Sequence, residues 1–521
     1  MPPRQIYLLS PKELSPETIA VAFAKTSRSP ESFREIAAEL SDEKSAQFHE
    51  KWVVGYGHAS VAEHAVLHIA IENVSRLAVE SIESNRLASY TEKSTRYQKW
   101  GQADFYIPPE LEGHPLRENY IQTCRLLFDT YAKSLAPVRV LVKRQFPPRD
   151  TVRAANTGGT PVRDGNECSA PGEAEEAYDR RIRSQYVDSC RFLLPAASLA
   201  NLGMTANARV LENAIRKMRS HPLAEVRQIG EEIKRVAQGE VPTLVKYAEA
   251  VPYLVETGKD FCHTVRAASI GGTPVRDGRE HGEHGENNKR ISVDSARSVV
   301  NSDWCQLIHY DPDGETKVLA ATLYRFGEMA YPQALQSVRS APEPERVRLA
   351  ESLLGRLSRY DTPLRELEHT FYTFELILDQ GAYAEFKRHR MMTQTPQALT
   401  ARLGYALPRR IAAAGFEVPY RSVMESAAEM YERMAAWNPQ VAAYLVPNGF
   451  NRRVLFTMNL REAFAFCQLR AAENAHFSIR RVALRVAEEI RRVHPLLAKY
   501  LHLPEGETWR TIEECYFAAT K

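Results

Sequence analysis

Charge of one sign is what this chain has least of: 68 basic and 65 acidic residues leave a net charge of +3 over 521 positions. No broad basic face for nucleic acid or an anionic membrane is therefore expected. No apolar run approaches the length that spans a bilayer. The opening MPPRQIYLLSPKELSPE has one short apolar stretch broken by proline and charge, so it does not read as a signal peptide. Cysteine is sparse and unpatterned: Cys124, Cys168, Cys190, Cys262, Cys305, Cys467 and Cys515 form no C-x-x-C pair. An odd, scattered set reads as reduced thiols in a cytoplasmic protein, with no metal site. The remainder is ordinary globular composition, 44% hydrophobic and 26% charged, which excludes wholesale disorder.

The length suggests two to four domains of roughly 100 to 200 residues, and an internal echo argues for two. Glu80 to Tyr97, ESIESNRLASYTEKSTRY, returns in altered form from Gly381 to Tyr405, GAYAEFKRHRMMTQTPQALTARLGY. Each copy follows an alternating run that opens on a Glu-His pair, Glu63-His64 and Glu368-His369, read as a half-buried strand entering a helix. His64 to His369 is 305 positions and Arg86 to Arg390 is 304, so the register of a tandem duplication holds to within one residue. The domains are expected at 1–255 and 295–521, with an insertion near 150–180 and a glycine- and charge-rich stretch at 256–294.

Ser29 and Pro30 are expected to cap and start a helix running toward Tyr56. Strands are expected at 64–73 and 369–377, and helices at 116–145, 186–202, 206–236 and 343–358. A second repeat, TVRAANTGGTPVRDG from Thr151 and TVRAASIGGTPVRDG from Thr264, shares thirteen of fifteen residues. Its Gly-Gly-Thr-Pro and Asp-Gly signals read as surface insertions, since neither copy has the strand before and helix after that a phosphate-cradling loop needs. His281 and His284, interleaved with glycines, read as a flexible tract rather than a metal site. From Arg86 to Asn207 is 121 positions, against 69 from Arg390 to Asn459. The first insertion covers about half of that excess, and a longer helical connection must supply the rest.

Arg388-His389-Arg390 puts three cationic or donor groups in a row at a strand-to-helix junction, where guanidinium forks and helix-start amides suit phosphate. In the first half, Glu92, Ser94 and Arg96 at alternate positions are expected to fan over one helical turn, an acceptor, a hydroxyl and a guanidinium that suit a nucleotide. Each group alone is commoner as a solvated face or a surface ion pair.

In combination these residues resemble the flavin-dependent thymidylate synthases, whose signature runs R-H-R-x-x-S-x-N-E-x-S-x-R-Y. The first half reads S-N-R-L-A-S-Y-T-E-K-S-T-R-Y from Ser84 to Tyr97; the second keeps Arg388-His389-Arg390 but has Pro396, Ala398 and Thr400 in place of Glu, Ser and Arg. The resemblance extends to Gly57-His58-x-Ser60-x-x-Glu63-His64, to Asn207-Ala-Arg209 with Asn213, and to Asn459-Leu-Arg461 with Leu469-Arg470. It implies an α+β fold, two copies of a domain with helices around a small antiparallel sheet. It also implies reductive methylation of deoxyuridylate (dUMP), with FAD as cofactor and NADPH and methylenetetrahydrofolate as co-substrates.

By the same resemblance Arg470 is the catalytic group, and Glu92, Ser94, Arg96, Arg191 and Arg388 bind substrate. His58, Ser60, Glu63, Arg86, Asn207, Arg209, Asn213, His389, Arg390, Asn459 and Arg461 would hold flavin. The family's sites lie between subunits of a tetramer, so two of these chains would make its equivalent. Each half keeps what the other has lost: Ser84 and Met218 are blanks on one side, Pro396, Ala398, Thr400 and Ala443 on the other. A composite site kept at one kind of interface is expected, with partners limited to small molecules and a second copy. Two alternatives stand beside it, a non-catalytic flavin- or nucleotide-binding paralogue and a methyltransferase for another uracil nucleotide.

Overall fold

Alternation along Val66–Ser75 builds the first strand, β1, with Leu67, Ile69 and Ile71 turned into the core and Val66, His68 and Ala70 turned out. The computed structural model describes residues 5, 7–26, 29, 31–55, 58–96, 100–147, 175–260, 303–359 and 361–518. Both TVRAA repeats, the His281 and His284 tract, Cys168 and Cys262 lie outside these residues. Among the described residues the six further strands are β2 (Ala88–Glu92), β3 (Leu199–Asn207), β4 (Cys305–Tyr310), β5 (Phe371–Asp379), β6 (Thr393–Pro396) and β7 (Asn451–Asn459). They make two antiparallel sheets, ordered β1-β3-β2 and β4-β5-β7-β6, among a majority of helix. The fold is α+β, as expected.

The described residues fall into two compact units whose borders do not follow 1–255 and 295–521. One takes its residues from Met1–Lys93, Phe105–Arg117 and Ala197–Arg290, the other from Ser94–Asp104, Glu118–Ala196 and Ile291–Lys521. The first holds the three-stranded sheet. The second holds the four-stranded sheet and draws on both halves of the sequence.

In the first unit β1 faces β3 from Val66 opposite Asn207 to Ile71 opposite Leu202, then resumes with Val74 opposite Ala200. The extra residue is a β-bulge, with Asn73 held at φ 58°. In the second unit β5 faces β7 without a break, from Phe371 opposite Asn459 to Asp379 opposite Asn451. The bulge thus explains why the two copies are 305 positions apart before it and 304 after it.

Four of these strands end in an N-cap that starts the next helix. Ser75 accepts from the Ala78 amide at 2.9 Å and Asn207 from Val210 at 2.9 Å; Asp379 accepts from Ala382 at 2.8 Å and Asn459 from Glu462 at 2.8 Å. In the first unit the Ser75 hydroxyl also donates to the buried Glu225 carboxylate at 2.6 Å. In the second unit the bond is reversed, with Ser478 donating to the Asp379 carboxylate. The core of the second unit has Phe374 stacked on Phe456 at 5.3 Å and Phe386 edge-on to Phe456 at 4.9 Å, each such ring contributing about 1.5–3 kcal/mol by burial.

Several local expectations are corrected. Residues 199–202 and 206–207, expected at the ends of two helices, belong to strand β3: Ala200, Leu202, Met204 and Ala206 alternate into the core, and pairing with β1 and β2 overrides their helix propensity. Glu92 ends strand β2, with Ser94 and Arg96 in the turn after it, so the three do not share a helical turn. Ser32 caps the helix Phe33–Ala38 and Ser41 caps Asp42–Phe48, in place of Ser29. Arg388-His389-Arg390 follows the helix Gln380–Phe386 rather than starting one, so helix-start amides add nothing there. The longer connection of the first half is the helix Glu175–Cys190, 16 residues, where the second half has only Pro439–Ala442, 4 residues.

Within the second unit, corresponding segments of the two halves meet. Pro195 and Pro447, 252 positions apart, pair antiparallel. The Ala196 amide donates to the Val446 carbonyl at 3.0 Å and the Asn448 amide to the Leu194 carbonyl at 2.9 Å. Exchanging the halves turns one of these bonds into the other, which defines a local twofold axis.

Candidate active site

The turn after β2, the end of the helix Glu175–Cys190, the helix Gln380–Phe386 and the helix Leu460–Ala471 bring an alternating chain of charges together in the second unit. Arg96 donates through Nε and Nη2 to the two oxygens of Asp188, both at 2.8 Å, and through Nη1 to the Asn474 carbonyl at 2.8 Å. Such a planar fork on a carboxylate is the strong form of this contact. Arg191, 5% exposed, donates to the buried Thr95 hydroxyl at 3.0 Å and to Glu385 Oε1 at 3.3 Å. Its Nε is buried and has no hydrogen-bond partner, with Asp188 Oδ1 3.9 Å away. Burial pushes the Asp188 carboxyl up, against the pull of Arg191 and Arg96. His476 donates from Nε2 to the Asp188 carbonyl at 3.2 Å and accepts the Ser478 amide at Nδ1. Burial, with Arg191 and Arg96 nearby, holds that imidazole neutral.

Glu385 is the link between the halves. Its Oε1 takes Arg191 and its Oε2 takes Arg470 Nη1 at 3.2 Å. Arg470 Nε donates to His389 Nε2 at 2.9 Å, and His389 Nδ1 lies 3.0 Å from Glu462 Oε1. Burial lowers the Arg470 pKa; Glu385 opposes that and the like charge of Arg388 adds to it. Arg388 itself is exposed, and Arg390 is half-buried. Ser94 accepts the Arg96 amide at 3.2 Å and so shapes the turn that presents Arg96.

Other expected residues belong to the first unit. Glu92 is paired with Arg76 at 2.8 Å, both side chains nearly covered. His58, Ser60, Arg86 and Asn213 are exposed. Glu63 and Arg209 form an exposed ion pair at 2.5 Å, and the Asn207 oxygen is taken by its capping bond. The Glu63–Arg209 pair is solvent-exposed, so Arg209→Ala should change unfolding free energy by less than about 1 kcal/mol, read from urea titrations. Its counterpart in the second unit is held harder: Arg461 donates to Glu368 at 2.8 Å and to the Pro363 carbonyl at 2.9 Å. Beside it a cavity of about 440 Å³ is lined by Arg359, Thr362, Glu368, Asn459, Glu462 and Gln468.

Asp188, Glu385, Glu462 and His476 were not singled out from sequence. The signal for the first three was present in the comparison of copies. Offsets of 252 and 304 place Gln440 opposite Asp188, Ser81 opposite Glu385 and Val210 opposite Glu462. Each is charged in one copy and neutral in the other, the same sorting that marked Arg191 against Ala443 and Arg470 against Met218.

The sequence model of a family described as "Thy1: Thymidylate synthase complementing protein" matches residues 9–243 and 306–496. The chain belongs to the Thy1 family. Two matched stretches in one chain fit two Thy1 copies in tandem. A UPF0159 protein of Chlamydia muridarum is 30% identical over 470 residues, covering 89% of this chain and 82% of that one. Another, of Thermoplasma acidophilum, is 30% identical over 479 residues, covering 88% and 89%. A flavin-dependent thymidylate synthase of Clostridium tetani is 26% identical over 236 residues, 45% of this Thy1 chain and 82% of its own. A solved flavin-dependent thymidylate synthase of Helicobacter pylori, complexed with FAD and dUMP, is 19% identical with a TM-score of 0.29, covering 39% of this chain and 100% of its own. Among the described residues no helix is long and apolar enough to cross a membrane.

Proposed function

We propose that this Thy1 chain is a flavin-dependent thymidylate synthase that methylates dUMP reductively, using methylenetetrahydrofolate and NADPH, at a site built from both halves of its sequence. The observation that carries the reading is Glu385 holding Arg191 of the first half and Arg470 of the second, 3.3 and 3.2 Å away. The unpartnered Nε of Arg191 supports it, because a buried guanidinium donor without an acceptor is costly and suits an incoming phosphate oxygen. Arg191 and Arg96 would bind the nucleotide phosphate. Arg470 would stabilise negative charge developing on the pyrimidine, as a guanidinium already fixed in place does well.

The donor set also suits FAD. His58, Ser60, Arg86, Arg209 and Asn213 are exposed groups of the first unit, and the solvent-exposed Glu63–Arg209 pair can be turned toward an anionic cofactor at little expense. In the second unit Arg461 is committed to two acceptors, and Thr362-Pro363 stand where the first half has Gly57-His58. That difference supports one FAD for each chain. When bound, the flavin supplies the hydride and the means of one-carbon transfer; the residues here bind, orient and stabilise charge. Two chains would assemble as the equivalent of four family subunits.

The test is NADPH oxidation that depends on both dUMP and methylenetetrahydrofolate, with tritium released from the pyrimidine 5-position. A protein that stays colourless after incubation with FAD, or that releases no tritium, would overturn the reading.

A further inference from the structure

We infer that Glu462 is a positioning residue for Arg470, acting through His389: its carboxylate holds the imidazole as one tautomer, whose other nitrogen then fixes the Arg470 guanidinium. The tautomer follows from hydrogen-bond roles. A guanidinium only donates, so the 2.9 Å contact from Arg470 Nε requires an unprotonated Nε2 on His389. The ring proton then sits on Nδ1 and donates to Glu462 Oε1 at 3.0 Å. The imidazole is 8% exposed and edge-on to Phe466 at 4.9 Å, so it has little room to turn. His389 is thereby occupied at both nitrogens by protein side chains, a role different from the flavin contact expected from sequence.

The two copies bear this out as a unit. At the positions matching Glu462, His389 and Arg470 the first half has Val210, Asn85 and Met218. All three members are present in one copy and replaced in the other, as expected if they act together.

Protonation would put an N–H on Nε2, facing the Nε–H of Arg470, donor against donor. The charged groups facing His389 are Glu462 and Arg470 from the helix Leu460–Ala471 and Glu385 from the helix Gln380–Phe386, with Arg388 adjoining Arg470. Burial above all, then Arg470, lowers the imidazole pKa; Glu462 and Glu385 oppose them. A lowered value means the neutral form is favoured by folding. The chain is therefore intact above the ordinary imidazole range and is lost as pH falls through the depressed value.

The role of Arg470 in turnover rests on the synthase reading; the tautomer does not. The experiment is accordingly in two arms, both on the full chain. In the first, ¹⁵N-histidine NMR, with His389→Gln to assign the signal, should show Nδ1 protonated and Nε2 unprotonated at neutral pH. The opposite tautomer or an imidazolium overturns the proposal whatever the enzyme does. In the second, Glu462→Val should lower kcat roughly 10- to 100-fold with little change in the KM for dUMP, the range expected of a misplaced group. Glu462→Gln, which keeps the acceptor, should restore most of kcat and move the acid limb of the pH profile to lower pH. An unchanged kcat in Glu462→Val, or an unmoved acid limb in Glu462→Gln, overturns it. Wild-type protein that never turns over dUMP defeats the synthase reading alone, and the NMR arm still decides the tautomer.

Discussion

Arg470→Met should lower the rate of tritium release from dUMP by about 10²–10³-fold, the usual loss when a donor aimed at developing charge is removed. Methionine is the residue the first copy has at this place, Met218, buried at 2% exposure, so it is a side chain this fold already accepts. The substitution leaves Glu385 with Arg191 alone and His389 Nε2 with no donor. The loss should appear chiefly in kcat, since Arg96 and Arg191 remain to bind phosphate. Arg96→Ala, more than 370 positions away in sequence, should also abolish turnover, by weakening nucleotide binding. Tritium release within threefold of wild type in either variant would end the composite-site assignment.

Asp188→Ala should have the largest effect on stability. Its carboxylate takes both ends of the Arg96 fork, and it is also the nearest anion to the unpartnered Arg191 Nε. Its removal takes the fork's acceptor from Arg96 and one of two neighbouring carboxylates from Arg191, whose side chains are 16% and 6% exposed. Breaking one side of a buried pair in this way costs about 3–5 kcal/mol. Denaturant unfolding followed by tryptophan fluorescence would measure it. Asp188→Asn, which keeps an acceptor, should lose less, and adding Arg96→Met to Asp188→Ala should recover part of the loss. Additive losses in that double-mutant cycle would show that the fork contributes nothing as a pair.

The duplication, the strands after Glu63-His64 and Glu368-His369, and the pairing of arginines from different halves were legible because each left a linear trace: a spacing, an alternation, a blank opposite a charge. Strand β3 was not. Ala-Asn-Leu-Gly-Met-Thr-Ala suits a helix or a strand by propensity, and only its neighbours β1 and β2 settle the matter. The helical fan of Glu92, Ser94 and Arg96 failed for the same reason, since β2 exists by pairing with β3. Asp188 and Glu385 were hidden because a carboxylate that braces an arginine looks, in sequence, like any surface acid. Their isolation in one copy was the available clue. The Asn207 and Asn459 caps show another limit: a residue that marks a family can be spending its side-chain oxygen on the backbone.

Around Pro195 and Pro447 the halves face each other as identical subunits do across a dyad, yet they belong to one polypeptide. In an assembly of identical chains, any change near such an axis is made twice, and a favourable replacement on one side is imposed on the other. Here Arg191 and Ala443 sit at matching places beside the axis and are free to differ. Covalent linkage thus removes the penalty that symmetry sets on specialisation, and allows the residues on one side of the axis to change without those on the other.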